Sequence, residues 1–397
     1  MTARLLCLPL LIGLLAIRVL PLQAQTTLPP CTQRAHWTFD IRTRPDRYCV
    51  ERVWQDKSAG EMGFTGLAFA PDGRLFAARP LRGQVLMLRD TDGDTQPDSP
   101  RVLADGLDRP NALLYSQGAL YIAGGGAVYR LPDDGQIETL TDTVPTSTDL
   151  WNGGLATDGT WLYVGTGAAC QSCASDVRQG AILRVRLDDG AEEVFATGFR
   201  QPLALLWHDA ALWATDSARP VWGASLAPLD ELNRVAAHAD YGNPTCLGLN
   251  GSPYQLPQDA CDKTVAPILG LPAYSQPSAM SVYTGAAFPH LQGKLLMALM
   301  GSTNRSDVRG YGVIAFDFPP PTPPFPIETL LPYDNSITSG SDMLYKEDGA
   351  PEFWDMSFLN RRGVGVWPHH LYGMAISPEG WIYLSVGGGT ILSLRPR

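Results

Sequence analysis

Residues 66–78 read Gly66-Leu-Ala-Phe-Ala-Pro-Asp72-Gly73-Arg-Leu-Phe-Ala-Ala78. Apolar residues alternate up to a Pro-Asp-Gly turn and resume directly after it, the pattern of two short antiparallel strands joined by a tight turn. The same arrangement returns near the end of the chain, as Gly373-Met-Ala-Ile-Ser-Pro-Glu379-Gly380-Trp-Ile-Tyr-Leu-Ser385. Between them lie Asn111–Tyr115 with Leu120–Ala123, Gly154–Gly159 with Leu162–Gly165, and Leu203–Asp209 with Leu212–Thr215. A looser copy joins Met280–Tyr283 to Lys294–Ala298. The chain therefore repeats one hairpin six times.

Most copies continue into a third apolar run: Gln84–Leu88, Ala127–Leu131, Ala181–Leu187, Val313–Phe318 and Thr390–Leu394. Several have a fourth, at Arg101–Ala104, Gln136–Leu140 and Glu192–Ala196. Four antiparallel strands recurring about every 45 residues make a propeller blade, so the expected fold is an all-β six-bladed β-propeller. The last copy reaches Arg397 after three strands, while Cys49–Gln55 is a strand without a blade. That N-terminal strand is expected to close the sixth blade and remove its open edge. Residues 25–397 then form one domain, with Pro319–Pro326 as a stiff connection and 216–230, 243–278 and 333–372 as loops between strands.

Composition agrees with this reading. Forty Gly and 33 Pro in 397 residues, with 18% charged, make a turn-rich chain, and 45% apolar residues can bury a large core. The formal charge is −10 with no basic block, which excludes nucleic acid as a partner class. Arg4, the apolar stretch Leu5–Ile17 and Leu22-Gln-Ala24 form an export signal over residues 1–24, too short for a ~20-residue membrane helix. The mature protein is expected to be periplasmic or secreted, without a membrane span. Its six cysteines, Cys31, Cys49, Cys170, Cys173, Cys246 and Cys261, are even in number, as a disulfide framework requires. Six cysteines allow 15 connectivities. Proximity favours 31–49, 170–173 and 246–261; a zinc or redox role for Cys170-Gln-Ser-Cys173 is the alternative.

In such a ring the Asp-Gly turns share one face with the third-to-fourth connections. The opposite face collects the second-to-third loops and the links between blades, and here those are the long, polar ones. Binding belongs where long loops converge on the central channel. That face carries Arg79, Arg109, Asn111, Asp149, Asn152, Arg200, Gln201, Asp216, Arg219, Asp230, Glu231, Asn304, Arg305, Arg309, His369 and His370. Arginines gathered at one mouth of an acidic protein suit an anionic ligand, because planar guanidinium forks grip carboxylates bidentately. The plainer reading is that they pair with Asp149, Asp216, Asp230 and Glu231 to fasten loops. Asp90-Thr-Asp92-Gly-Asp94 with Asp98 resembles a calcium loop, but the EF-hand positions six and twelve hold Thr95 and Arg101. It also falls on the short-turn face, as a turn or at most a structural ion site.

Five segments together resemble the quinoprotein sugar dehydrogenases of the soluble glucose dehydrogenase and sorbosone dehydrogenase type. They are Asp90–Asp98, Gly167–Cys173, Gly198-Phe-Arg-Gln-Pro202, Asp230–Arg234 with Tyr241-Gly242, and Tyr283-Thr-Gly285 leading to Gly301–Ser306. The resemblance spans nearly the whole mature chain and implies pyrroloquinoline quinone (PQQ) with calcium at the channel mouth. It further implies hydride transfer from a small sugar or aldehyde to the quinone, with a histidine taking the hydroxyl proton. Arg200 matches the family's cofactor arginine, Gln201 stands where Asn is usual, and Arg305 lies where a further basic contact is supplied; Arg109 joins them. Asp216 and Asp230 are the candidate metal ligands. The family's histidine before the third blade is absent, since the chain reads Ser147-Thr-Asp149-Leu-Trp-Asn152 there, and Met300 and Thr303 replace His and Trp. Asp149 or His370, the latter from the last inter-blade loop, is then the candidate base. Two other readings stay open: a non-catalytic binding propeller, and a calcium-dependent lactonase or hydrolase using Asp149, Asn152 and Asp216.

Overall fold

The inner strands of six sheets, Leu67–Phe69, Pro110–Ser116, Gly153–Thr157, Leu205–His208, Pro277–Val282 and Leu371–Ile376, stand around one central channel. The computed structural model describes residues 29–38, 41, 43, 47–170, 176–217, 228–246, 261–271, 273–303, 309–322, 325, 327–331, 366 and 368–397. Each sheet has four antiparallel strands, in sequence order outward from the channel in five blades and with the N-terminal strand outermost in the sixth, so the fold is the six-bladed propeller expected. Residues 1–24, expected to be an export signal, lie outside the described residues. Among the described residues no helix is long and apolar enough to cross a membrane.

The alternation that marked the hairpins is what packs the blades. In the second strands, such as Ala119–Gly124 and Lys294–Leu299, nearly every side chain is buried, because a central strand is covered by neighbouring blades on both faces. Hydrophobic clusters therefore lie between blades as well as within them. One joins Leu296, Val313 and Leu330 of the fifth blade to Leu371, Leu384 and Leu392 of the sixth. In blades two, three, five and six the inner strand shifts register near its start, at Pro110/Ala112, Gly153/Leu155, Pro277/Ala279 and Leu371/Gly373. Such bulges increase local twist and splay the strand where it meets the channel mouth.

At that mouth, hydrogen bonds tie each blade to the next. Gly66 N donates to Asn111 O (2.8 Å), Asn111 Nδ2 to Asn152 O (2.7 Å) and Ala168 N to Arg200 O (2.8 Å). Thr215 Oγ1 donates to Pro277 O (3.0 Å), Ser278 Oγ to Leu371 O (2.8 Å) and Ser385 Oγ to Thr65 O (2.6 Å).

Tyr48–Gln55 pairs antiparallel with Thr390–Pro396, as the strand count required. Glu51, in the middle of the closing strand, accepts from Arg34 Nη1 (2.9 Å) and Arg395 Nη1 (3.1 Å), and all three side chains are at most 5% exposed. Arg395 also lies over the Trp381 ring, 4.3 Å from its centroid, and donates to Thr95 O (2.7 Å). Cys31 is bonded to Cys49, which pins the chain before this strand, and Cys246 to Cys261. Cys170 is also disulfide-bonded, while Cys173 lies outside the described residues.

One expectation about loops needs correcting. Residues 243–278 are not a loop throughout: the outer strands of blade four are Asp230–Val235 and Leu269–Leu271, and the second of these lies inside that range. The second is only three residues long and follows a long insertion, so no periodicity could announce it. The Asp90–Asp98 segment is a turn held by its own carboxylates, with Asp90 accepting from Gly93 N and Thr95 N (both 2.8 Å) and Asp98 from Thr91 N (2.8 Å). Oxygens of Asp90, Asp92 and Asp94 lie within 4.8 Å of one another, fully exposed, on the face opposite the long loops.

Candidate active site

The channel encloses a cavity of about 380 Å³ lined by the inner strands of all six blades. It runs from Asn111, Met300 and Tyr372 at the long-loop end to Tyr115, Trp207 and Ser281 at the short-turn end, and none of its described lining side chains is charged. Charge is confined to the rim.

One side of that rim is built by blades two to four. The Arg109 guanidinium lies 5.6 Å from the centroid of Trp151 and is paired with Asp108 (2.9 Å). Gln201 Nε2 reaches Trp151 O (3.4 Å), so these residues form one patch. Arg200 lies beneath it, only 6% exposed, with Nη1 on Ser217 O (3.0 Å). Arg305, Arg219 and Asn304 lie outside the described residues. A planar indole beside a guanidinium, an amide and a buried second arginine is a donor set that fits a flat polycarboxylate.

The acidic residues behave otherwise. Asp216 accepts from Arg200 N (2.8 Å) and Gln201 N (2.6 Å), fastening the link into its own blade. Asp230 accepts from Gln276 N (2.7 Å) and Ser275 Oγ (3.1 Å), fastening the next link. Their carboxylates are thus loop anchors engaged by amides. Among the described residues no group of three metal-binding side chains gathers at this mouth. Asn152 is engaged too: Nδ2 donates to Gly125 O (2.7 Å) and Pro145 O (2.9 Å), and Oδ1 accepts from Gly167 N (3.1 Å).

Burial pushes the Asp216 carboxyl up to about 6, against the pull of the amides and of Arg200. Asp216 therefore holds its proton more tightly folded than unfolded. Its contribution to stability is full below the unfolded value of about 4 and is lost as pH rises through 6, a swing of about 3 kcal/mol. Asp216→Asn is expected to flatten the stability-against-pH curve between about pH 4 and 7. Urea melts of both proteins at several pH values measure this, and parallel curves would refute it.

The other side of the rim belongs to blades five, six and one. His370 Nδ1 is 3.2 Å from Met300 O. A carbonyl only accepts, so Nδ1 carries the proton and Nε2 keeps its lone pair in the neutral ring. The imidazole stacks on Tyr311 (5.1 Å between centroids, 21° between planes) and lies 6.1 Å from the ring of Tyr372, which lines the channel. Burial holds its pKa below the ordinary 6.5, with Met300 O and the charge of Glu61 pulling the other way. Burial also pushes Tyr372 up to about 12. Nε2 has no hydrogen-bond partner among the described residues. Asp149 differs in each respect: it is exposed, and nothing in the described structure holds its carboxylate. His369 is exposed beside Gly388. The sequence named both candidate bases; Tyr311 went unnamed, although Gly301 and Gly310 bracket it.

Residues 155–309 match the family model described as Glucose / Sorbosone dehydrogenase. None of the curated proteins matches the chain. Solved structures similar in fold include a Trichoderma reesei protein of carbohydrate-active enzyme family AA12. It is 15% identical, with a TM-score of 0.68, over 92% of this chain and 99% of that one. The holo PQQ domain of pyranose dehydrogenase from Coprinopsis cinerea is 14% identical, with a TM-score of 0.65, over 90% and 97%. The soluble aldose sugar dehydrogenase of Escherichia coli is 19% identical, with a TM-score of 0.58, over 88% and 99%. At these identities the likeness establishes the propeller. From the third blade to the middle of the fifth, the chain carries the sequence pattern of the glucose/sorbosone dehydrogenase family, as its motifs indicated.

Proposed function

We propose that this protein is an exported, PQQ-dependent dehydrogenase that oxidises an aldose or sorbosone-type sugar, with His370 as the base. The observation that carries the proposal is the fixed, half-buried imidazole at the rim of the channel, its Nε2 without a hydrogen-bond partner among the described residues and its Nδ1 committed to Met300 O. Such a ring is neutral and acceptor-ready at neutral pH, which a general base requires.

Arg109, Trp151 and Gln201 would hold PQQ, with Arg200 beneath them. Bound PQQ supplies the two-electron acceptor for hydride. His370 Nε2 takes the hydroxyl proton of the sugar as hydride leaves the same carbon, and the resulting imidazolium keeps its Nδ1–H on Met300 O. The nearby Glu61 charge favours that cation. Calcium, expected with PQQ, would polarise the acceptor carbonyl at this mouth. Export is supported by the leader and by the disulfide-bonded cysteines.

Adding PQQ to the apo-protein is expected to raise its melting temperature, since a ligand bound by the folded state alone stabilises it by mass action. Arg109→Ala should weaken that binding by about 1.5–3 kcal/mol, the range for a charge-assisted hydrogen bond. The loaded protein should reduce an artificial electron acceptor with aldoses. Binding without turnover on any sugar or aldehyde would favour the non-catalytic propeller, and no thermal shift at any PQQ concentration would overturn the proposal.

A further inference from the structure

We infer that Tyr311 is a positioning residue for His370, its ring fixing the imidazole plane so that Nδ1 stays on Met300 O; this rests on the reading of His370 as base. Tyr311 has φ +59°, a left-handed backbone that bulky aromatic residues rarely adopt. Strain of that kind persists where surrounding structure enforces it, and it collects at working sites.

The enforcement is visible residue by residue. Gly301 and Gly310 both take positive φ, +105° and +76°, and close against each other beneath the ring. A Cβ on Gly301 would lie 2.5 Å from Tyr311 Cδ2. The Tyr311 hydroxyl donates to Ser302 O (2.6 Å), and Ser302 N to Arg309 O (2.8 Å). The segment after Met300 therefore returns on itself and lays a buried aromatic face against the imidazole. Met300 O, which the imidazole contacts, also accepts from Leu371 N (3.3 Å). One carbonyl and one ring thus hold His370 from two directions, edge and face. Of the other titratable groups around it, Glu61 and His369 act on its charge in opposite directions, and Tyr372 lies 6.1 Å away with its ring tilted by 58°.

The test uses apo-protein with ring-¹⁵N-labelled histidine, with the His370 signals among the six histidines assigned by loss in His370→Gln. Wild type and Tyr311→Phe are expected to show His370 as a single Nδ1–H tautomer, with ring protons shifted upfield by the stacked aromatic. Tyr311→Leu is expected to show both tautomers. A folded Tyr311→Leu that keeps the wild-type tautomer overturns the inference. Should that variant not fold, the wild-type protein alone decides: a mixed tautomer, or no upfield shift, overturns it. None of these readouts needs PQQ or turnover, so failure of His370 as base is seen separately, as unchanged activity in His370→Gln. In an active enzyme, Tyr311→Leu should lower kcat on the order of tenfold with little change in KM, and Tyr311→Phe should restore it.

Discussion

His370→Gln is expected to lower kcat of the PQQ-loaded protein by roughly 10²–10⁴-fold, the usual contribution of a positioned base. PQQ affinity should stay nearly constant, because the imidazole lies across the rim from Arg109, Trp151 and Gln201. The pH profile supplies a second readout. A base must be unprotonated to act, and burial keeps the His370 pKa below 6.5. The acid limb of kcat/KM should therefore fall below pH 6.5 and vanish in His370→Gln. Asp149→Asn should change kcat by less than about threefold, since its exposed carboxylate has nothing to aim it. The reverse pair of results would make Asp149 the base.

A second large effect is expected where the ring closes. Glu51→Ala removes the partner of a fully buried Arg395 and should cost about 3–5 kcal/mol, the penalty for stranding a charge in the interior. Exchanging the whole group, as Glu51→Leu with Arg395→Met and Arg34→Met, should recover most of that loss, because three apolar residues leave no buried charge behind. Denaturant midpoints of the three proteins decide the matter. A triple variant as weak as the single one would mean that the ion pairs themselves contribute the stability. Deleting the chain through Gln55 should be more severe, exposing the edge of Thr390–Pro396 and driving aggregation.

The repeat was legible because the blades open with the same local device, an apolar run broken by a turn, which is Asp-Gly in blades one and three and Glu-Gly in blade six. The closing strand was legible from a shortage: three strands at one end and one unassigned at the other. The outer strands of blade four escaped because long insertions separate them, and Leu269–Leu271 is too short to show a period. At the site, residue type proved a weaker guide than in the blades. Asp216 and Asp230 have the chemistry of calcium ligands, but a carboxylate is equally suited to capping the amides of a loop, and only the fold decides which it meets. His370 could be named from its place in the last inter-blade loop. Its tautomer could not, because Met300 O comes from a different blade. Tyr311 was hidden for the same reason, with only the flanking Gly301 and Gly310 as a trace of its unusual backbone.

The closing pair also imposes an order on biosynthesis. Glu51 and Arg395 are separated by 344 residues, so the first strand to leave the ribosome waits for the last before it can pair. Until then both edges of the unfinished ring present free amides and carbonyls to any neighbouring chain, and pairing between the two ends of the sequence is what ends the hazard. Anything that delays arrival of the C-terminal strand, such as a pause in translation or a slow passage across a membrane, lengthens that window. Yield in the cell should then depend on chaperone supply more steeply than the stability of the finished ring suggests.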